Sequence, residues 1–245
     1  MVALTDESSS LQAAEDPADM AFLKLHEKPR KRYEGITQEL TARVKDTPNS
    51  ASLWLRLGDA RFFAGDAAGA LAAYDECVKL SPERLTAFWQ RGLVLHAVGQ
   101  WKEGAAQFQM YHDQISQSDR ENGLWQILCN APLLGEDKAL EQRIRYVKPD
   151  RQPFPLVYRM YEKEVSLDQV RKQLAATQLS KAEQDSVDFY LPLYAGFQSH
   201  MRGQTAEARQ LYDEALKSTW APEAGYGPNF MWHVGRLQRA SLTPK

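Results

Sequence analysis

The chain has 245 residues, of which 43% are apolar, and its 30 basic and 32 acidic side chains give a formal net charge of −2. This length and apolar content suffice for a large buried core, and the near-neutral charge argues against a dedicated nucleic-acid binder or a receptor for strongly acidic ligands. No apolar run approaches the roughly 18 residues that a membrane-spanning helix needs, so no membrane span is expected.

The first segment, residues 1–16, is rich in serine and acidic residues and is predicted to be a flexible tail. It lacks the basic patch and apolar core of a secretory signal. We therefore expect a cytoplasmic protein, with an organelle as the alternative if a targeting peptide has been removed. Residues 17–245 are expected to form a single helical domain.

A cluster of basic residues lies within an incomplete first helical unit. It comprises Lys24, Lys28, Arg30, Lys31 and Arg32. The run from Lys28 to Arg32 resembles a short nuclear-import signal, so a nuclear location is an alternative. A solvated turn between two helices is the favoured interpretation.

Small and aromatic residues then recur with a period of 34 residues. The matched pairs are Pro48 and Pro82, Gly58 and Gly92, Gly65 and Gly99, and Tyr74 and Phe108. A period of this length, with paired small residues and a closing proline, resembles the tetratricopeptide repeat (TPR), in which each unit is a pair of antiparallel helices. The pattern predicts clear repeats over 51–84 and 85–118.

Further units follow with less regular spacing. Trp125 and Gly135 mark a degenerate repeat, and Gly196, Gly203 and Tyr212 predict a third clear repeat over about 189–222. We count about five units, some of them degenerate. The predicted fold is therefore all-α, an α-solenoid of stacked antiparallel helix pairs.

The region between these repeats is interrupted by prolines. Pro149, Pro153 and Pro155 forbid a regular helix over 146–156, which we expect to be an extended strap across the array with Phe154 as its packing anchor. A second basic stretch beside it, suited to an acidic partner surface, consists of Arg143, Arg145, Lys148 and Arg151. A final helix around Phe230, Trp232 and Leu237 is expected to cap the core.

No motif for catalysis, metal binding or cofactor binding is present. The five histidines are scattered, and His112 with Asp113 has no nucleophile tied to it by a known motif. Cys77 and Cys129 are expected to be reduced thiols that act as small apolar residues. We therefore expect no catalytic residue, metal or cofactor. An enzyme is the least favoured reading, and it would require clustered polar residues with shifted pKa values in a closed pocket.

The repeat geometry itself predicts a binding site. In stacked units the first helix of each pair lines a concave groove, and the inward positions are Ser52, Leu55, Asp59, Phe62, Thr86, Trp89, Leu93 and His96. This largely apolar face suits an amphipathic helix or an extended peptide. The alternative, equally weighted, is that the strap or the final helix fills the groove from within the chain.

The same positions argue against one TPR function. Domains that capture the acidic C-terminal tails of large chaperones resemble each other in a clamp with lysine at the fifth and asparagine at the ninth position of the first helix. This chain has Leu55 with Asp59, and Trp89 with Leu93. A terminal carboxylate would meet apolar groups and a like charge, so chaperone tails are disfavoured.

The layout over Ala51 to Leu216 resembles the bacterial TPR lipoprotein family and its soluble relatives. The resemblance rests on the sequence from Trp89 through Phe108 and on the tryptophan-containing repeat at 123–129. It implies an adaptor that brings other proteins together, often as a homodimer. A signal peptide and a lipid-bearing cysteine near the start are expected in the lipoproteins and do not occur here, so the envelope role is not carried over.

These observations predict a non-enzymatic scaffold that binds a protein or peptide partner in the concave groove. The alternative is a structural or assembly subunit fixed in a larger complex, which would show aromatic and basic patches on its convex face. Neither reading identifies the partner.

Overall fold

The computed structural model describes residues 17–243, and within them it contains twelve α-helices, one 3-10 helix and no strand. The predicted all-helical class is confirmed for this part of the chain; the tail predicted for residues 1–16 lies outside the described residues. The α-helices are α1 (Pro17–Asp46), α2 (Ala51–Ala64), α3 (Ala67–Leu80), α4 (Trp89–Ala97), α5 (Trp101–Gln114), α6 (Arg120–Leu134), α7 (Glu136–Glu141), α8 (Phe154–Tyr161), α9 (Leu167–Ala175), α10 (Lys181–Met201), α11 (Thr205–Ala215) and α12 (Tyr226–Ser241).

Helices that follow one another in the chain pack as neighbours in space. The most extensive contacts join α1 to α2, α2 to α3, α5 to α6 and α10 to α11. Each of these helices therefore buries its apolar face against the next one along the chain, which is a repeat-like arrangement.

The same crossing occurs three times with the same sequence spacing. A Cβ added to Gly58 would lie 2.2 Å from the ring of Tyr74, one on Gly92 2.7 Å from Phe108, and one on Gly196 2.8 Å from Tyr212. Glycine lets each aromatic ring lie directly against the backbone of the preceding helix. The aromatic residue always follows its glycine by sixteen positions, so one packing solution is repeated in all three helix pairs.

Glycines also end the first helices of these pairs. Gly65 has φ of 97° and its backbone N–H donates to the last carbonyls of α2, while Gly99 has φ of 78° after α4. This left-handed conformation carries a steric cost for side chains and none for glycine. The turns after α2 and α4 therefore have a direct backbone cause.

The basic cluster at 24–32 lies in the middle of α1 and not at a turn. The helix continues through Pro29, and Arg30 pairs with Glu27 and Glu34 one turn before and after it. Such pairs at i,i+3 and i,i+4 support an exposed helix. The predicted turn was wrong because these local ion pairs and the long apolar face of α1 sustain the helix across the proline.

Three element boundaries differ from those predicted. Helix α10 starts at Lys181, before the start predicted for the third repeat at about residue 189. The strap is shorter, because α8 begins at Phe154; Pro155 stands in its first turn, where the missing N–H costs nothing. Thr86 lies in the 3-10 helix Pro82–Ala87, since α4 begins only at Trp89.

The interior is continuous from α2 to α12. Phe154 is fully buried, in agreement with its predicted role as an anchor. Cys77 and Cys129 are both buried and unbonded, and burial raises the pKa of each thiol. Among the helices of residues 17–243, none is long and apolar enough to cross a lipid bilayer.

Candidate functional site

The C-terminal helix α12 lies in the predicted groove. The ring of Phe230 stacks on Phe62 with centroids 5.6 Å apart and meets Trp89 edge-on at 5.1 Å. Phe62 is 4% exposed. The part of the groove formed by α2 is therefore filled from within the chain, and Phe62 belongs to the core.

Asp59 makes one of the polar contacts that hold this helix in place. Its Oδ2 accepts a hydrogen bond from the hydroxyl of Tyr226 at 2.8 Å, and its Oδ1 accepts one from Tyr74 at 2.6 Å. Burial raises the pKa of Asp59 to about 6, although both hydrogen bonds favour the charged carboxylate. Asp59 thus joins α2, α3 and α12.

The other predicted groove residues separate into different surroundings. Ser52 is exposed at the start of α2, Leu55 is partly buried, and Thr86 belongs to the 3-10 helix. His96 borders a separate cavity next to His200. Phe62, Leu93 and His96 border a second cavity, at one end of α12. Trp89 and Leu93 border an apolar pocket between α4–α6 and α10, next to the other end of α12.

This pocket has a volume of about 450 Å³. Helices α4, α5 and α6 form one side, and α10, α12 and the loop before α12 form the other. Ala182 and Glu183, at the start of α10, are exposed at its rim. The pocket therefore opens to solvent at one end.

Five aromatic side chains line this pocket. Phe108 and Trp125 stack with centroids 6.3 Å apart on one side, and Tyr190 and Trp220 meet edge-on at 6.3 Å on the other. Trp89 also borders the pocket. Three of the six tryptophans of the chain therefore line it. Such a surface offers large contact area at low entropic cost.

Glu121 gives the pocket a polar end. It stands in the first turn of α6, one turn before Trp125 on the same helix face. The indole Nε1 of Trp125 donates to the hydroxyl oxygen of Tyr194 at 2.9 Å, and the Tyr194 hydroxyl donates to Oε1 of Glu121 at 2.8 Å. The carboxylate is thereby fixed at one orientation.

Arg151 is shared among three carboxylates. Its guanidinium pairs with Glu121, lies 3.4 Å from Asp150 and 3.7 Å from Asp119, and its carbon stands 4.4 Å from the centre of the Phe154 ring. One positive charge therefore faces three negative ones. Although burial alone would lower the pKa of Arg151, Glu121 and Asp119 raise it.

In a solvated ion pair the cation lowers the pKa of the carboxyl group, whereas the pKa values of these carboxyl groups are raised. Burial raises the pKa of Glu121 to about 7; Arg151 opposes this rise, and the charges of Asp119 and Asp150 add to it. Burial likewise raises the pKa of Asp119. For both carboxyl groups burial is the main cause of the raised pKa, and the charge of neighbouring carboxylates adds to it.

Helix capping accounts for two of these acids. Asp119 is the N-cap of α6 and accepts from the N–H of Glu121, while Asp150 accepts from the backbone N–H groups of Arg120 and Arg151. Both stabilise the positive end of the helix. The Glu121 side chain makes no hydrogen bond to a backbone group of residues 17–243, so capping does not explain its position.

Sequence reasoning missed Glu121, Tyr190 and Trp220, and it placed Arg151 only in a basic stretch. The available signal was the spacing of Glu121 and Trp125, which puts a carboxylate and an indole on one face of α6. The clustered acids with raised pKa values are the feature that the enzyme reading required, but the pocket that holds them is open. Within residues 17–243, no three His, Cys, Asp or Glu side chains gather in a way that would hold a metal ion.

No protein-family model matches the chain, and no curated protein matches it in sequence. The assignment of a function therefore rests on the geometry of the pocket and on its surroundings.

Proposed function

We propose that the protein is a non-enzymatic interaction scaffold of the TPR type, which holds a segment of a partner protein in the pocket between α4–α6 and α10. The observation that supports this most is the position of the pocket: it lies on the face that the repeat pattern predicts to be concave, and Trp89 and Leu93 are common to both. The partner site is thus displaced from α2, where α12 lies, to the next part of the same face.

The composition of the pocket fits protein recognition. Tryptophan, tyrosine and arginine are the residues that contribute most often to binding energy at protein interfaces. Here they are Trp89, Trp125, Trp220, Tyr190 and Arg151. Because Tyr190 and Trp125 are each 3% exposed and held by neighbouring rings, the binding surface is ordered before a partner arrives.

Site-specific photo-crosslinking tests this proposal. A photoreactive amino acid replaces Ala182 at the rim of the pocket, and in the matched control it replaces Ala72, an exposed alanine on α3. Both substitutions leave the core untouched, whereas changes at Leu93, which is 2% exposed, would disturb the fold.

The expected result in cells of the source organism is a discrete crosslinked protein from position 182 that is absent from position 72. Equal products from both positions, or none from position 182, would contradict a partner site at the pocket.

An acid–base enzyme is the second candidate, because Glu121 has a pKa of about 7 inside a pocket, where it would be half-protonated at neutral pH. Its test is incubation of a metabolite extract with the wild-type protein and with Glu121→Gln, followed by mass spectrometry. A metabolite consumed by the wild type and spared by the variant would establish catalysis; unchanged extracts would leave binding as the function of the site.

A further inference from the structure

The structure also indicates which chemistry the pocket recognises. We propose that the partner segment inserts a lysine or arginine side chain, with its charged end against Glu121 and Asp119 and its alkyl stem between the aromatic walls. That the cation belongs to a protein rests on the proposed function; the preference for a cation rests on the pocket itself.

The first argument is charge complementarity. Glu121, Asp119 and Asp150 surround the single guanidinium of Arg151, and the carboxylate of Glu183 stands at the rim. Negative charge therefore exceeds positive charge at the polar end of the pocket. A ligand that supplies one positive charge reduces the repulsion among these acids, whereas an anion that approaches Arg151 would meet all three carboxylates.

The second argument comes from the aromatic walls. An indole ring attracts a cation over its face more strongly than any other side chain, and Trp89, Trp125 and Trp220 all border this pocket. The stems of lysine and arginine are apolar, so they gain contact with these rings while the charged end reaches a carboxylate. A purely apolar side chain would contact the walls but would add no positive charge to offset the excess of negative charge at the polar end.

The third argument concerns preorganisation. The hydroxyl of Tyr194 fixes one oxygen of Glu121, and Tyr194 is itself held by the indole N–H of Trp125. The wall and the carboxylate are therefore parts of one hydrogen-bonded unit. An incoming cation meets a carboxylate that is already oriented, which lowers the entropic cost of binding.

The test uses two small probes of nearly the same shape, one cationic and one neutral. N-acetyl-arginine amide is titrated to about 20 mM, which detects a millimolar Kd, and N-acetyl-citrulline amide at matched ionic strength is its neutral counterpart. The readout is the indole N–H signals of the six tryptophans in ¹⁵N-labelled protein. Trp54, Trp101 and Trp232 do not border the pocket and serve as internal controls.

The expected result is a saturable shift of the Trp89, Trp125 and Trp220 signals with the arginine probe, at least about tenfold weaker with citrulline. Glu121→Gln should weaken arginine binding roughly tenfold, and Glu141→Gln, at an exposed site on α7, should not change it.

Arginine binding should also strengthen from pH 6 to pH 8, because Glu121 becomes ionised over this range. The groups that face Glu121 and set its pKa are Arg151, Asp119, Asp150 and Tyr194. Equal shifts with both probes, or no shift at 20 mM, would overturn the inference without need of any variant.

The inference and the proposed function fail separately. A protein crosslinked from position 182 combined with no response to arginine would overturn the cation preference alone. An arginine response with no crosslinked protein would overturn the scaffold function and retain a pocket for organic cations.

Discussion

The hydroxyl of Tyr226 donates a hydrogen bond of 2.8 Å to the carboxylate of Asp59, across 167 positions of the chain. Asp59 is the acidic residue of the predicted groove on α2, and Tyr226 is the first residue of α12. This contact brings the C-terminal helix against a surface that the repeat pattern assigned to a partner. The pocket beside α6 lies next to α12 on the same predicted face.

The Asp59–Tyr226 bond can be tested by removing one hydroxyl. Tyr226→Phe deletes this donor and keeps the ring that meets Phe230. It also deletes the acceptor of a 3.1 Å hydrogen bond from Nε2 of Gln90. We expect a loss of about 1 kcal/mol in the free energy of unfolding, measured by urea denaturation. Tyr111→Phe is the control, because among residues 17–243 no hydrogen bond is made to its hydroxyl, and it should be neutral. Equal effects of the two substitutions would contradict a specific role for this bond.

The glycine at the first helix crossing provides a second prediction. Gly58→Ala places a methyl group in the space of the Tyr74 ring, so we expect a loss of about 1 to 3 kcal/mol in unfolding free energy. Gly35→Ala is the matched change within α1, where the added Cβ meets nothing within 4 Å. It should stabilise the protein by up to about 1 kcal/mol through helix propensity. Thermal unfolding of both variants separates a steric clash from an effect of helix propensity. If both substitutions stabilised the protein, α2 and α3 would not cross as closely at Gly58 as the structure shows.

A buried ion pair connects the start of α1 to α12. Asp19 is 3% exposed and accepts from Nη2 of the fully buried Arg239 at 2.7 Å, with Arg209 as a further partner. Asp19→Asn leaves buried guanidinium charge with less compensation, and we expect it to cost about 2 to 4 kcal/mol of unfolding free energy.

The control for this ion pair is Glu39→Gln, which breaks an exposed pair with Arg43 at 3.7 Å and should cost at most about 0.5 kcal/mol. Chemical denaturation at neutral pH compares the two variants. If Asp19→Asn lowered the unfolding free energy as little as Glu39→Gln does, the buried ion pairs would contribute little to the packing of α12 against α1.

The raised pKa of Glu121 predicts a pH dependence of stability with a definite sign. Its pKa rises from 4.5 to about 7 on folding, so the folded protein binds more protons than the unfolded chain between these values. The contribution of Glu121 is therefore fully present below pH 4.5 and is lost as the pH rises through 7. Glu121→Gln removes this titration.

We expect the unfolding free energy of the wild type, relative to Glu121→Gln, to fall by about 1 to 3 kcal/mol from pH 5 to pH 8. Denaturation curves of both proteins at several pH values measure the difference. A difference that stays constant with pH would show that Arg151 keeps Glu121 ionised throughout.

The features that the sequence predicted well are local. The spacing of Gly58 and Tyr74 determines one helix crossing within a single repeat, and Gly65 ends a helix by its own backbone preference. Neither depends on distant parts of the chain, so both can be read from a few neighbouring residues.

The features that the sequence did not predict depend on long-range contacts. Glu121 pairs with Arg151, which lies in the irregular segment before α8, and accepts a hydrogen bond from Tyr194 on α10. Because both partners are distant in the sequence, no short motif brings the three residues together. The filling of the groove by α12 was one of two alternatives, because an apolar concave face suits a partner helix and an internal one equally well. Only the folded chain brings Phe230 and Tyr226 against α2, and these contacts favour the internal helix over a partner helix.

The most direct test of the account is to sequence the partner peptide that crosslinks to position 182. The account predicts one recurrent peptide with a lysine or arginine close to the attachment point, and a lower crosslinking yield in the Glu121→Gln background. Peptides without a recurrent basic residue, or a yield that Glu121→Gln leaves unchanged, would contradict a partner side chain held by Glu121.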